Sequence, residues 1–148
     1  MSDYIKRTME KTVEKMKKSF PVIMITGPRQ VGKTTLLNIM AENNKNEKIN
    51  FISLDDLNAR TLAIEDPELF LRTYEMPLII DEFQYAPNLL SYIKIKVDKA
   101  RENEMFGDGK EVGTMYYLTG SQVFQTMKNV SESLAGRIGI LDLFGFST

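Results

Sequence analysis

The sequence predicts an α/β fold in which a parallel β-sheet carries helices on both faces. Three observations carry that prediction. Short apolar runs of buried-strand type recur five times along the 148 residues. Segments with apolar residues at three- and four-residue spacing alternate with them, and such alternation implies right-handed parallel crossovers. The length and the 43% hydrophobic content suit one ordinary domain with a proper core, without internal repeats or low-complexity linkers.

Ile5, Met9, Val13, Met16 and Phe20 recur at helical spacing, with lysines and Arg7 between them. They predict an amphipathic helix over 1–20 lying on the domain, its lysines solvated. Pro21 ends it, because a residue preceding proline is pushed out of the α region. Residues 22–26 form the first strand. A helix over 33–42 follows, striped by Leu36, Leu37 and Met40. Beyond the polar loop 43–48 lies a second strand, 49–54. Residues 57–74 read as helical but are broken at Pro67, with Asp66 as the cap of the second part. The third strand, 77–80, runs straight into Asp81 and Glu82. Pro87 opens a helix that turns Leu89, Leu90, Ile93 and Val97 inward. The glycine-bearing stretch 105–113 is loop, 115–119 a fourth strand, 122–127 a short helix and 138–143 a fifth strand.

Composition removes several kinds of chemistry. With no Cys and no His, disulfides, the usual zinc sites and His-based catalytic triads are impossible. Any metal must be a hard ion on oxygen ligands, which favours Mg²⁺. The formal charge of -1 gives no global basic field for nucleic acid. No apolar stretch is long enough to span a membrane and the N-terminus lacks a secretory h-region, so the expected location is cytoplasmic.

The stretch Gly27-Pro28-Arg29-Gln30-Val31-Gly32-Lys33-Thr34-Thr35 stands where the first strand turns into a helix. It satisfies the P-loop pattern, and with it the fold becomes a P-loop NTPase three-layer sandwich. Amide N–H groups must curl round a phosphate there, and a Cβ at the glycines would obstruct the curl. The helix start adds its own N–H groups and dipole. Lys33 neutralises the β- and γ-phosphates, and Thr34 is the expected Mg²⁺ ligand.

Asp81 and Glu82 close the third strand at the sheet edge where α/β proteins bind ligands. A carboxylate at 81 can hold Mg²⁺ through water, and Glu82 can orient and deprotonate an attacking water. Thr119 and Ser121, after the fourth strand, can hydrogen-bond the γ-phosphate or the water, or serve as an ordinary helix cap. Arg137 precedes the fifth strand; it can reach the γ-phosphate of a neighbouring subunit as an arginine finger or pair with a surface acid. Arg29 has the same two choices, phosphate or adjoining subunit.

Together "GPRQVGKTTLL", "FISLDDLNAR", "LIIDEFQYAPNLL", "YYLTGSQ" and "SESLAGRIGILDLFGFS" resemble the ATPases of the AAA+ superfamily whose ATP-binding domain is usually followed by a DUF4143 region. The resemblance spans residues 4–147. It implies a five-stranded parallel sheet in the order 5-1-4-3-2, Lys33 and Thr34 on phosphate and Mg²⁺, Asp81 and Glu82 as Walker B, Ser121 in the sensor-1 region and Arg137 in arginine sensing. It also implies that members continue into a small helical lid and the DUF4143 region, which this sequence does not include. The expected organisation is therefore an ATP-binding core over 1–148, with weakened turnover, adenine binding and ring formation.

The expected function is Mg²⁺-dependent hydrolysis of ATP to ADP and phosphate, used as a conformational switch, with homo-oligomers formed through Arg137 or Arg29. A P-loop kinase is the alternative enzyme, but no acceptor pocket or arginine-bearing closing segment is legible. The sequence has no Asn-Lys-x-Asp motif for guanine. A nucleotide-responsive module that grips nucleic acid through the first helix, or through Lys94, Lys96, Lys99 and Arg101, is a minority reading because those clusters are local.

Overall fold

Val22 to Ile25 are all within 1% of complete burial, and they belong to the central part of a five-stranded sheet. The structure is a computed structural model, and it describes residues 11–12, 15, 20–26, 49–106, 114–120 and 136–142. In chain order the elements are β1 (Val22–Thr26), β2 (Asn50–Ser53), α1 (Leu57–Glu65), α2 (Pro67–Thr73), β3 (Leu78–Asp81), a 3₁₀ turn (Phe83–Tyr85), α3 (Leu89–Phe106), β4 (Tyr116–Gly120) and β5 (Ile138–Asp142). Of the helix predicted over 1–20, Lys11, Thr12 and Lys15 are described and helical, and Phe20 is described and not helical. The predicted helices over 33–42 and 122–127 lie outside the described residues.

The strands are ordered β2-β3-β4-β1-β5 and every pair is parallel, which is the expected 5-1-4-3-2 read from the other edge. Their amino ends are flush: Val22 aligns with Tyr116 and Ile138, and Leu78 with Tyr116 and Asn50. Flush starts on strands of similar length bring their carboxyl ends to one line.

Side chains alternate across the sheet. Val22, Met24, Leu78, Ile80, Tyr116 and Leu118 join one core with Ala59, Ala63, Phe70, Leu71, Leu89, Leu90, Ile93 and Val97 of the three helices. Ile23, Ile25, Ile79 and Tyr117, on the opposite face, are buried as well. Burial on both faces explains why these strands read as unbroken apolar runs. At the edge, β2 leaves Phe51 half exposed.

The break between α1 and α2 has the expected cause. The Asp66 carboxylate accepts from Leu69 N at 3.2 Å, and Pro67 stands at the first helical turn, where its missing N–H does no harm. Asp56 caps α1 in the same way, accepting from Asn58 N at 2.9 Å. The helix after Pro87 starts two residues later than the proline, whose carbonyl accepts from Leu90 N at 3.1 Å.

Tyr116 carries an internal weakness. Its side chain is fully buried, and its hydroxyl finds no hydrogen-bond partner among the described residues. Burial pushes the phenol above its ordinary range. Tyr116→Phe removes the stranded hydroxyl and keeps the ring, so we expect a gain of roughly 1 kcal/mol, or about 2–4 °C in Tm. Thermal denaturation checks this; a lower Tm in the variant would show that the hydroxyl is satisfied.

Candidate active site

Three neighbouring strands converge on one carboxylate. Asp81 is the last residue of β3 and is half-buried. Its Oδ1 accepts from Thr119 Oγ1 of β4 at 2.6 Å, and its Oδ2 accepts from Ser53 Oγ of β2 at 3.1 Å. Ser53 Oγ in turn accepts from Asp55 N at 3.2 Å, which fixes that hydroxyl. Hydroxyls on both sides lock the plane of the carboxylate, and hydroxyl-to-carboxylate bonds are among the stronger hydrogen bonds. A carboxylate has about four lone-pair sites, so two such bonds leave capacity for a cation or water. Thr119 was singled out by the sequence. Ser53 was not, because only the β2–β3 register, Ser53 beside Asp81, brings it there.

Glu82 leaves the strand abruptly. Its backbone is left-handed (φ 55°, ψ 46°), a region that disfavours residues with a Cβ by about 1–2 kcal/mol. The turn continues as the 3₁₀ segment, with Tyr85 N donating to Glu82 O at 3.2 Å. The Glu82 side chain is 3% exposed, and its Oε2 accepts from Gln84 Nε2 at 2.6 Å. A buried carboxylate needs hydrogen-bond donors, and Gln84 supplies one. Beside this turn Arg60 of α1 lies over the Tyr85 ring, 3.8 Å from its centroid, and donates from Nε to Leu54 O at 2.8 Å.

The strand that leads into the glycine-rich stretch ends on the same edge. Thr26 aligns with Gly120 and with Asp142, and Gly27 is the next residue. Because β4 alone separates β1 from β3, Thr26 and Asp81 lie two strand spacings apart, roughly 10 Å. Residues 27–35 and Ser121 themselves lie outside the described residues.

Arg137 stands elsewhere. Its carbonyl accepts from Val22 N at 3.3 Å, at the amino end of β1, just after Gly136 turns with φ 79°. That end is four residue steps, roughly 13 Å, from the edge holding Asp81. Its Nε donates to Asp98 Oδ1 of α3 at 2.6 Å, so the ion pair with an acid is formed and the arginine is not gathered with Asp81 and Glu82 of its own chain. On α3, Lys94 and Lys99 are exposed whereas Lys96 and Arg101 are half-buried, and Asp98 and Glu102 lie among them.

Residues 19–148 match the model of a family described as an AAA domain. The chain belongs to that AAA domain family. Two relatives are the uncharacterized proteins Rv2008c of Mycobacterium tuberculosis and Mb2031c of Mycobacterium bovis. Each is 31% identical over 127 residues, or 86% of this chain. The chain spans only 26% of the length of those two relatives. Among solved structures it is similar to a RuvB variant of Thermotoga maritima, with a TM-score of 0.56 and 22% identity over 97% of this chain and 45% of that one. A second Thermotoga maritima RuvB, described as a Holliday junction branch migration motor, gives 0.56 and 21% with the same coverage. At such identities the likeness speaks for the fold alone. Nucleotide binding and hydrolysis are the chemistry that membership of the AAA domain family suggests. No helix among the described residues is long and apolar enough to cross a membrane.

Proposed function

We propose that the chain is a Mg²⁺-dependent ATPase that hydrolyses ATP to ADP and phosphate and uses the step as a conformational switch. The observation that carries this reading is the Asp81–Glu82 pair, held at the carboxyl edge two strands from the one that runs into Gly27-x-x-x-x-Gly32-Lys33-Thr34. In the reaction a water oxygen bonds to the γ-phosphorus while the bond to the bridging oxygen of ADP breaks. Glu82 takes the proton of the attacking water, and Lys33 and the amides of 27–34 hold the phosphates.

The donor set at Asp81 fits magnesium. The carboxylate is oriented by Ser53 and Thr119, and it keeps lone-pair capacity for an oxygen-seeking cation. Mg²⁺ typically takes one or two carboxylates and completes its shell with waters and substrate phosphates. Asp81 and Thr34 would hold it. When bound, it neutralises charge on the phosphate oxygens.

Calorimetry with ATP, with and without magnesium, combined with phosphate release in the absence of any acceptor, tests the reading. Heat of binding and acceptor-free phosphate support it. No heat with magnesium nucleotide would sink it, and phosphate transfer that appears only with an added hydroxyl compound would make the chain a kinase instead.

As an arginine finger, Arg137 acts on a neighbouring subunit, since within one chain it lies at the wrong end of the sheet. Arg137→Ala and Glu82→Gln chains, each slow alone, are then expected to recover turnover when mixed, because a mixed pair contains one intact site. Phosphate release from the mixture measures this. No recovery would remove Arg137 from the reaction.

A further inference from the structure

We propose that Gln84 is a positioning residue for Glu82, and that Gly120 is glycine in order to seat it. This rests on the reading of Glu82 as the group that activates water. The Gln84 carboxamide has two ends. Its Nε2 donates to Glu82 Oε2 at 2.6 Å, the short distance of a bond strengthened by charge. Its Oε1 is buried and sits only 2.6 Å from the point that a Cβ on residue 120 would occupy. The amide is therefore pressed against the backbone at the end of β4 while it holds the carboxylate at the end of β3.

Gly120 has no conformational need to be glycine. It is a strand residue paired with Thr26, and positive φ among the glycines of the described residues is confined to Gly136. Glycine inside a strand weakens it, by roughly 0.5–1 kcal/mol against alanine in an ordinary setting. What residue 120 lacks is room: any side chain collides with Gln84. The stretch thus gives up strand stability at a place where doing so makes room for the Gln84 amide.

The left-handed backbone of Glu82 gives this contact its purpose. A residue in that region at the mouth of a turn is held by what surrounds it, and the glutamate side chain has three single bonds from backbone to carboxylate plane. The hydrogen bond from Gln84 fixes that plane. The donor is neutral, so it orients the carboxylate without compensating its charge. Glu82 and Gln84 are two residues apart, and the 3₁₀ turn Phe83–Tyr85 carries Gln84 back over the carboxylate.

The test uses Gln84→Met, which keeps length and volume but has no N–H to donate. Turnover of ATP is expected to fall about 10- to 100-fold, with KM changed by less than about twofold, as for loss of alignment in the transition state alone. In a Glu82→Gln background the same substitution is expected to change turnover by less than about twofold, because its action runs through Glu82. Gly120→Ala, which pushes the amide away from the other side, should reproduce the loss and add nothing to Gln84→Met. An equal loss in both backgrounds would reveal a packing role and overturn the proposal, as would wild-type turnover in Gln84→Met and in Gly120→Ala. Should Gln84→Met not fold, Gly120→Ala in the two backgrounds decides by the same comparison. Normal turnover of Glu82→Gln by itself would instead overturn the role of Glu82.

Discussion

Glu82→Gln is expected to lower phosphate release by about 10²- to 10⁴-fold while leaving nucleotide affinity close to that of the parent chain. The substitution is nearly silent in structure. Glutamine has the same length, its carbonyl oxygen can accept the Gln84 hydrogen bond in place of Oε2, and the left-handed backbone meets the same Cβ. Only the capacity to receive a proton is lost. Binding should survive, because the groups expected to grip phosphate belong to residues 27–35. The decisive measurement is single-turnover hydrolysis beside a nucleotide titration on the same preparation. Retention of full turnover would remove Glu82 from the reaction, and loss of binding in step with turnover would make it a binding group.

Asp81→Asn should act on a different variable. The amide is isosteric with the carboxylate, and the Ser53 and Thr119 hydroxyls can each turn to donate or accept, so the hydrogen-bonded row across β2, β3 and β4 can be rebuilt. What disappears is the negative charge proposed to hold magnesium. The magnesium concentration for half-maximal phosphate release is expected to rise by about 10- to 100-fold or more, given that even the partners of a metal ligand are worth that much. Maximal turnover should fall by a similar factor. Binding of nucleotide without magnesium should be unchanged, as in Glu82→Gln, and the shifted magnesium titration is what separates the two variants. An unaltered magnesium titration would end the assignment of Asp81. A fall of many degrees in Tm would show that the carboxylate serves the strands rather than the metal.

The parts of the molecule legible in the sequence are those fixed by local chemistry. Unbroken apolar runs announced strands buried on both faces, and the Asp66–Pro67 pair announced the start of α2 because cap and proline act within one turn. Asp81 could be put at a strand's carboxyl end because the run Leu78-Ile79-Ile80 stops there. Contacts set by register or by a turn were out of reach. Ser53 gave no sign of its role, since serine at the end of a strand is ordinary until β2 is laid beside β3. Gln84 was hidden for a related reason. Residues 83–85 show no helical period, and a single 3₁₀ turn is too short to make one. Arg137 illustrates the reverse case. Its position before a strand was read correctly, but the sequence held two partners open, and Asp98 lies 39 positions away. The strand order came from likeness to a family, because parallel pairing leaves no local trace.

The backbone at residue 82 has a consequence for how this chain tolerates change. Glycine is the residue most at ease with φ 55°, and asparagine follows. A lineage drifting without need for the acid would find glycine there an improvement in stability, since it would relax the chain and leave no charge inside the protein. In this chain the glutamate thus stands against a thermodynamic pull of about 1–2 kcal/mol. Cultures selected only for a heat-tolerant fold should lose it early, and the chains they yield would be sturdier and, on the proposed role of Glu82, inert.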